Sequence, residues 1–323
     1  MTEAEAFAEI ERLLRQIAWQ IATGLESRLS PLNILATLAL CLILWRMRRP
    51  AVSFLTWVFP ARVYRNPSFR LDVKLYLLGV ALSLVVVVNV TAITAGAAAL
   101  FGAMAGAVPP VPGPGSTVLT ALIVFLTADF VAYWYHRINH DWPWLWPVHA
   151  LHHSAEELNP ITAYRHHPLY LLLSVPFHAA AQGVAQAVLL VFITGSVDVY
   201  TLAGTNFFYA MFNLFASNLR HSHVWMRYPR IVEHVLISPA QHQCHHSIDP
   251  RHHNRNYGEV LALWDWMFGT LYLPDPDETI RFGLGDASGQ PLAQPHPTLG
   301  RALIVPLRDA GRTLRFGRSH EGD

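Results

Sequence analysis

Residues 133–153, YWYHRINHDWPWLWPVHALHH, carry five histidines in two groups, and a third group follows further along the chain in HQCHH. The eight histidines are His136 and His140, then His149, His152 and His153, and finally His242, His245 and His246. Residues three or four apart share one face of a helix, so each group can turn several imidazole rings towards one point. Imidazole binds iron, copper, zinc and nickel, and one ion takes roughly four ligands. The pattern therefore predicts either two metal ions or one ion with several supporting histidines.

The composition around these groups is typical of a membrane protein. Of the 323 residues, 52% are hydrophobic and only 14% are charged, whereas soluble proteins have roughly 25% charged residues. The net charge of +1 gives no sign of a nucleic-acid partner. The two cysteines do not indicate a disulfide framework, because Cys41 lies in an apolar run and Cys244 lies inside HQCHH, where we interpret it as a packing residue.

Long apolar segments predict an all-α, polytopic membrane bundle of about four to five spans with a cytoplasmic, histidine-lined cap. The predicted spans are residues 31–45, 75–108, 117–135, 169–194 and 199–216. Segment 75–108 can cross once with a tilt or turn back as a hairpin. Arginines between positions 46 and 70 mark the first linker as cytoplasmic, and a single crossing of 75–108 returns every histidine group to that face. We expect an integral membrane protein, of the inner membrane if the chain is bacterial.

Asp129 lies in the apolar segment that leads to His136, on the same helix face. A carboxylate inside a membrane tends to be functional, and one that accepts a hydrogen bond from a ligand's second ring nitrogen would orient that ring. We expect this role for Asp129, with an interhelical hydrogen bond as the alternative. Trp142, Trp144 and Trp146 are interpreted as an interfacial aromatic belt. The other histidines considered are interpreted as ordinary hydrogen-bonding, loop or supporting residues: His178, His234, His252, His253, His296 and His320.

The groups HRINH, HALHH and HQCHH resemble the histidine boxes of the sterol desaturase/fatty acid hydroxylase superfamily. The resemblance covers roughly residues 120–275 and continues in HHSAEELNPITAYRHHP (152–168), HSHV (221–224), NYG (256–258) and LWDWMFGT (263–270). It implies a membrane-embedded, non-haem, di-iron enzyme that uses O2 to remove hydrogen from an unactivated C–H bond of a lipid. The expected product is an alcohol, a double bond or a cleaved ether, and the expected substrate is a sterol-like or fatty acyl lipid.

The resemblance also implies a ligand set, and no catalytic residue is expected beyond it. Its nine members are His136, His140, His149, His152, His153, His221, His242, His245 and His246. His223 stands where the superfamily usually has Asn or Glu, and His167 matches the histidine of its R.HP stretch. Both are candidates for a ligand or a supporting residue, as is Asp129, and Arg165 is expected to be structural.

Two irons are the cofactor implied by the resemblance, with zinc able to enter in vitro. The sequence shows no GxGxxG motif and no appended haem or ferredoxin domain. We therefore expect electrons from an external donor, which would be a ferredoxin, a cytochrome b5-like protein or a reductase.

Four regions follow from these patterns. Residues 1–30 are predicted to form an amphipathic helix, 31–116 an N-terminal transmembrane region, 117–275 a fatty acid hydroxylase/sterol desaturase-like catalytic domain and 276–323 a cytoplasmic tail. From Pro274 onward proline, glycine and aspartate predict loops, apart from a short apolar piece at 303–307.

Two other functions fit part of the pattern. A membrane zinc hydrolase would use a metal-bound water, but the chain has no HExxH motif to supply the usual glutamate base. A non-catalytic metal-binding membrane protein would need neither a lipid-accessible face nor the closing WDWMFGT. The choice between hydroxylation, desaturation and ether cleavage stays open, because these reactions begin with the same hydrogen abstraction.

Overall fold

The computed structural model describes residues 28–82, 117–174, 176–178, 180, 211–276 and 278–316. Within these ranges the protein is helical and has no β-strand, and its β-type contacts are three isolated bridges. The predicted all-helical class is confirmed for this part of the chain. Several predicted segments lie wholly or mostly outside the described residues: the helix at 1–30, the span at 75–108 and the spans at 169–194 and 199–216.

Six helices carry the architecture. They are α1 (Pro31–Arg48), α2 (67–82), α3 (Thr117–Asp141), α4 (Trp146–His153), α5 (Pro239–His245) and α6 (Leu299–Phe316). A further helical stretch covers 168–174. Shorter helical turns connect them: Phe54–Val58, Ala61–Tyr64, Pro160–Tyr164, Asn213–Ser217, Asn218–Arg220, Arg230–Glu233, Pro250–His252 and Leu263–Met267.

Helix α1 begins and ends with clear signals. The Ser30 hydroxyl accepts a hydrogen bond from the backbone N–H of Asn33, Pro31 occupies the first turn, and Arg49 closes the helix in the left-handed conformation at φ 48°. Among the described helices, α1 alone is long and apolar enough to cross a membrane, by length and composition. Its outer face exposes large apolar side chains such as Leu35 and Met47.

Helix α3 extends the predicted span 117–135 without a break to Asp141, so it carries His136 and His140 on its last turns. The chain then turns over residues 142–145 and enters α4, which has a proline in its first turn. Helix α4 is buried from Val148 to His153, because its neighbours cover it on several sides. This turn brings the first two histidine groups against each other.

The prediction of a loop-rich tail is wrong for residues 299–316, which form α6. This helix packs along α4, and its Ala302 is fully buried among Leu71, Leu75 and Leu151. The buried face uses small residues and a proline, Pro306, while the exposed positions combine charged residues with apolar ones such as Ile304 and Leu314. Pro306 and the glycines at 300 and 311 are residues that sequence patterns associate with breaks and loops rather than with a helix. The helix forms because α4 supplies the apolar surface that covers it.

An ion pair with no solvent exposure joins α2 to the chain that follows α4. Arg165 donates to the Asp72 carboxylate at 2.7 Å and to the Leu151 carbonyl at 2.8 Å. Asn159 and Thr162 donate to the other oxygen of Asp72, each at 2.7 Å. Because every charge is paired and hydrogen-bonded, the network can be buried, and it fixes the C-terminal half of α4. The expected structural role of Arg165 agrees with this geometry.

Candidate metal centre

The nine histidines predicted as ligands come together in two adjoining groups. Within each group, the nitrogens that could bind a metal lie within 4.8 Å of one another. The first group is His136, His140, His149, His153 and His245, and the second is His152, His221, His242 and His246. The first box contributes only to the first group, whereas the second and third boxes are each divided between both groups.

The ring nitrogens converge more closely than hydrogen bonding among them explains. Nε2 of His221 lies 3.2 Å from Nε2 of His152, 3.1 Å from that of His242 and 3.1 Å from that of His246. A neutral imidazole carries one N–H, so His221 can donate to only one of these three atoms. The remaining lone pairs face one another in a buried space. This arrangement suits a cation held by several imidazoles.

Backbone carbonyls fix two rings of the first group. Nδ1 of His136 donates to the Tyr257 carbonyl at 2.9 Å, and Nδ1 of His245 donates to the Arg255 carbonyl at 2.7 Å. With the proton on Nδ1, the lone pair of each ring lies on Nε2. Nε2 of His245 and Nε2 of His140 are buried without a hydrogen-bond partner among the described residues. These nitrogens fit a metal at the centre of the group.

Burial lowers the pKa of every histidine in both groups, and it lowers the pKa of His136 to about 4. Desolvation disfavours the charged ring, and for most of them the neighbouring imidazoles lower the pKa further. The rings are therefore neutral at pH 7, and each keeps a lone pair for a metal.

His242 has a different partner. A terminal nitrogen of Arg220 lies 2.9 Å from its Nδ1, and because a guanidinium can only donate, Nδ1 accepts this hydrogen bond. The neutral ring then carries its proton on Nε2, the atom that faces His221 and His246. Nε2 would be free for a metal in the other neutral tautomer, with the proton on Nδ1, and that tautomer requires the Arg220 contact to be given up.

Local capping and one glutamine place the third box against HSHV. Helix α5 begins with a capping box, in which Ser238 and Gln241 exchange side-chain and backbone hydrogen bonds. On the face of α5 towards HSHV, the Gln243 amide donates to the carbonyls of Leu219, Ser222 and Val224 at 2.8 to 3.1 Å. This clamp holds residues 219–224, and therefore His221, beside His242 and His246.

The closing motifs NYG and WDWMFGT act through the backbone. The Asp265 carboxylate accepts from the N–H groups of Tyr257 and Gly258, both at 2.8 Å, and from the Thr270 hydroxyl at 2.6 Å. A Cβ at Gly258 would lie 2.5 Å from the Leu261 carbonyl oxygen, so only glycine fits there. Asp265 thus fixes the strip of backbone whose Tyr257 carbonyl orients His136.

Three other predicted residues lie outside the two groups. The Asp129 carboxylate accepts from the backbone N–H of Val260 and Leu261 and from the Trp264 indole, at 2.9 to 3.0 Å. The same closing segment is therefore tied to α3. Nε2 of His223 donates to the Trp57 carbonyl at 2.7 Å, and both ring nitrogens of His167 have backbone partners. The structure brings none of the three into the groups of converging nitrogens.

Several residues near the centre were not singled out from sequence for this site. His166 stacks on His152 with ring centroids 4.8 Å apart. The sequence feature that could have identified His166 is its position next to His167 in RHHP. Trp146, interpreted as part of an aromatic belt, packs against His140 at 5.0 Å. Arg28 and Glu259 form an ion pair at 2.8 Å, and no sequence pattern indicates that pair.

A cavity of about 380 Å³ lies over both histidine groups. One wall consists of histidine rings, including His136, His149 and His221, and the rest combines apolar and aromatic side chains with the Arg28–Glu259 pair. The fold and the site define a helical histidine-box protein, in which short motifs on separate helices converge beside a mixed polar and apolar cavity.

Residues 121–270 match the model of the fatty acid hydroxylase family. This match, together with the relatives below, supports the resemblance to the sterol desaturase/fatty acid hydroxylase superfamily. The chain is 31% identical over 171 residues to alkylglycerol monooxygenase of Homo sapiens, which covers 53% of this chain and 34% of that protein. It is 30% identical over 183 residues to the ornithine lipid hydroxylase OlsE of Rhizobium tropici, covering 55% and 50%.

A putative Delta(7)-sterol-C5(6)-desaturase 2 of Arabidopsis thaliana is 23% identical over 156 residues, covering 47% of this chain and 48% of that protein. The chain thus spans between a third and a half of the length of these relatives. No solved structure matches it.

Proposed function

We propose that the protein is a membrane-bound, non-haem, di-iron oxidoreductase that uses O2 to hydroxylate or desaturate a lipid. The observation that carries the proposal is the pair of adjoining, buried, all-nitrogen histidine groups beside one cavity. The names of its relatives, which are lipid monooxygenases, hydroxylases and desaturases, support the same class of reaction. We propose the nine grouped histidines as the ligands of the two irons.

When bound, the irons would activate O2 for attack on an unactivated C–H bond. The chain supplies the setting for that chemistry. Burial keeps the histidines neutral, and the carbonyls of Tyr257 and Arg255 hold two rings with Nε2 towards the centre. Imidazole nitrogens are not oxidised as readily as thiolates, and no cysteine belongs to either group.

Two cavities offer space for a lipid. The one over the histidines is also lined by Ala128, Ala132 and Tyr170. A second cavity of about 210 Å³ lies between α1 and residues 218–224, and its lining is almost wholly apolar. Since residues 218–224 include His221, an apolar chain in the second cavity would lie close to the centre. We propose that the two cavities receive different parts of one lipid.

The surface of the predicted spans fits a membrane. Large apolar side chains are exposed on α1 and also on the other described parts of predicted spans, as at Leu77, Leu173 and Phe177. Contiguous apolar surface of this kind is costly in water. We propose that these faces contact lipid and that the metal centre lies at the cytoplasmic side.

The external electron donor is proposed to approach from a different side. A polar cavity of about 520 Å³ reaches His140, His153 and His245 of the first group, and Ser247, His253 and Asn254 also line it. This cavity shares no lining residue with the other two. A separate polar access lets a soluble donor act while lipid occupies the first two cavities.

Hydrolysis by a zinc-bound water is the second candidate, and Glu259 is the carboxylate that would serve as its base. Although burial alone would raise the pKa of Glu259, Arg220 and Arg28 outweigh it and lower the pKa to about 2. A general base works best with a pKa near the working pH. Glu259 is therefore poorly suited to that role.

The reaction can be tested directly on the purified full chain. With iron, O2, a reduced ferredoxin system and a lipid extract, we expect about two irons per chain and a lipid product heavier by one oxygen or lighter by two hydrogens. Omission of O2 or of reductant should abolish the product. A product that still forms when O2 and reductant are both absent would instead support the hydrolase, and this outcome would overturn the proposal.

Filling the first cavity should stop the reaction without removing the metals. Ala132 lines this cavity one helical turn before His136. We expect Ala132→Phe to reduce turnover by about tenfold or more, which is ~1.4 kcal/mol in barrier. Iron content should stay at the wild-type value. As a control, Leu122→Phe adds a ring on the exposed side of the same helix and should leave turnover unchanged. Normal turnover in Ala132→Phe would place the substrate elsewhere.

A further inference from the structure

A third group of metal-binding side chains lies behind the third histidine box. Cys244 is on α5 between the ligand candidates, but it belongs to neither histidine group. Its thiol lies with His252 and Glu278, and the potential ligand atoms of the three residues are within 4.8 Å of one another. Cys244 and His252 have no solvent exposure, and the Glu278 side chain is 2% exposed. The three residues come from three separate segments.

The group contains a nitrogen that its protein neighbours do not satisfy. Nε2 of His252 is 3.0 Å from a Glu278 carboxylate oxygen, while its Nδ1 is buried without a hydrogen-bond partner among the described residues. An unpaired buried polar atom costs roughly 1–3 kcal/mol. A packing role for Cys244 leaves this cost unexplained. A cation shared by the thiol, the imidazole and the carboxylate would remove it.

The ligand types indicate zinc. Zinc is bound in proteins by cysteine thiolate, histidine nitrogen and aspartate or glutamate oxygen, and three protein ligands leave a fourth position for water. The thiol also separates this group chemically from the two catalytic groups, whose ligand candidates are all nitrogen atoms. Soft thiolate favours zinc over magnesium or calcium.

Three neighbouring groups besides His252 contact the Glu278 carboxylate but do not block a metal. Arg251 approaches the same carboxylate oxygen at 3.2 Å, yet its side chain is 62% exposed and it pairs with Asp249 at 2.8 Å. It can therefore turn to water and keep its main partner. The Tyr272 hydroxyl donates to that oxygen at 2.9 Å, and the backbone N–H of Asp275 donates to the other oxygen at 2.9 Å. A donor in this position orients a carboxylate that also binds a metal.

We propose that Cys244, His252 and Glu278 form a separate zinc site that joins α5 to the segment after residue 270. The site goes beyond the proposed reaction and does not depend on it. Its position on the back of the third histidine box means that zinc would brace the helix carrying His242 and His245. The zinc would not contact the lipid, since the cavities over the catalytic histidines include none of its three ligands.

Cobalt substitution of the purified full chain tests the site through its thiolate. Co²⁺ bound to a thiolate gives an intense sulfur-to-cobalt charge-transfer band in the near ultraviolet, and an all-histidine site cannot produce it. We expect the band in the wild-type chain and in His149→Ala, and its complete loss in Cys244→Val. Because valine is a good packing replacement for cysteine, a purely packing role predicts a folded Cys244→Val chain and no change in metal content.

Metal analysis supplies the second readout. Cys244→Val and Glu278→Gln should each lose about one zinc per chain and keep the wild-type iron content. Glu278→Gln retains the size of the side chain and one hydrogen-bond acceptor, so a loss of zinc in this variant would not be explained by misfolding. Absence of the band from the wild-type chain, or unchanged zinc in both variants, would overturn the proposal. Neither result affects the test by O2 and reductant, so the two proposals fail independently.

Discussion

Replacement of His149 by alanine is expected to abolish turnover, with a loss of at least about a thousandfold, or ~4 kcal/mol in barrier. His149 lies at the middle of the first group, with its Nε2 3.2 Å from that of His153 and its ring 4.8 Å from that of His140. Removal of one ligand opens the centre and lowers its metal affinity. Iron content and product formation, measured on the same purified sample, check the expectation. His245→Ala should behave in the same way.

His223→Ala is the matched control for this loss. Sequence makes His223 a candidate ligand, whereas its Nε2 donates to the Trp57 carbonyl. We therefore expect His223→Ala to keep both irons and most of its turnover. All variants must be compared at equal amounts of membrane-inserted protein. Full activity in His149→Ala or in His245→Ala would contradict the ligand assignment, and loss of iron from His223→Ala would add a tenth ligand to it.

Asp72→Ala is expected to destabilise the protein by about 3–5 kcal/mol, because it leaves Arg165 as an unpaired charge in a fully buried site. Asn159 and Thr162 also lose their shared acceptor. Thermal stability of the detergent-solubilised chain should fall by roughly 10 °C, measured as loss of the monodisperse peak after heating. Since Arg165 also holds the Leu151 carbonyl, iron content should fall at temperatures where the wild type keeps it.

An exposed ion pair gives the control for burial. Arg62 and Glu157 are 3.3 Å apart and the Arg62 side chain is 63% exposed, so Arg62→Ala should cost no more than about 1 kcal/mol. The double variant Asp72→Leu with Arg165→Met removes both buried charges and should recover part of the stability lost in Asp72→Ala. If Asp72→Ala were no less stable than Arg62→Ala, the buried network would not brace the fold.

The histidine boxes were predictable because their spacing is itself structural information. Helical periodicity places His136 with His140 on one face, and it places His149 with His152 or His153 on one face. The sequence therefore indicated which rings could converge. It did not indicate how the second and third boxes each divide between the two groups, because that depends on how α3, α4 and α5 pack against one another.

Residues that act through the backbone escaped the sequence patterns. Gln243 clamps HSHV through three carbonyls, and Asp265 fixes the carbonyl that orients His136. Neither contact has a local signal, since the partners are set by tertiary packing. The sequence singled out Asp129 because a carboxylate in an apolar span is energetically costly. Its partners are the N–H groups of Val260 and Leu261. For Asp129 the residue type was informative, but its hydrogen-bond partners could not be predicted from sequence.

Helix α6 has a consequence for the order in which this protein is made. It covers α4, which carries three of the grouped histidines, and it is synthesised after all nine of them. A nascent chain in which every histidine has already left the ribosome still lacks the helix that covers the second box. Chains fold as cooperative units while they emerge from the ribosome. Stable loading with iron is therefore expected to follow completion of α6, so ribosome-stalled chains that stop before it should be recovered without metal.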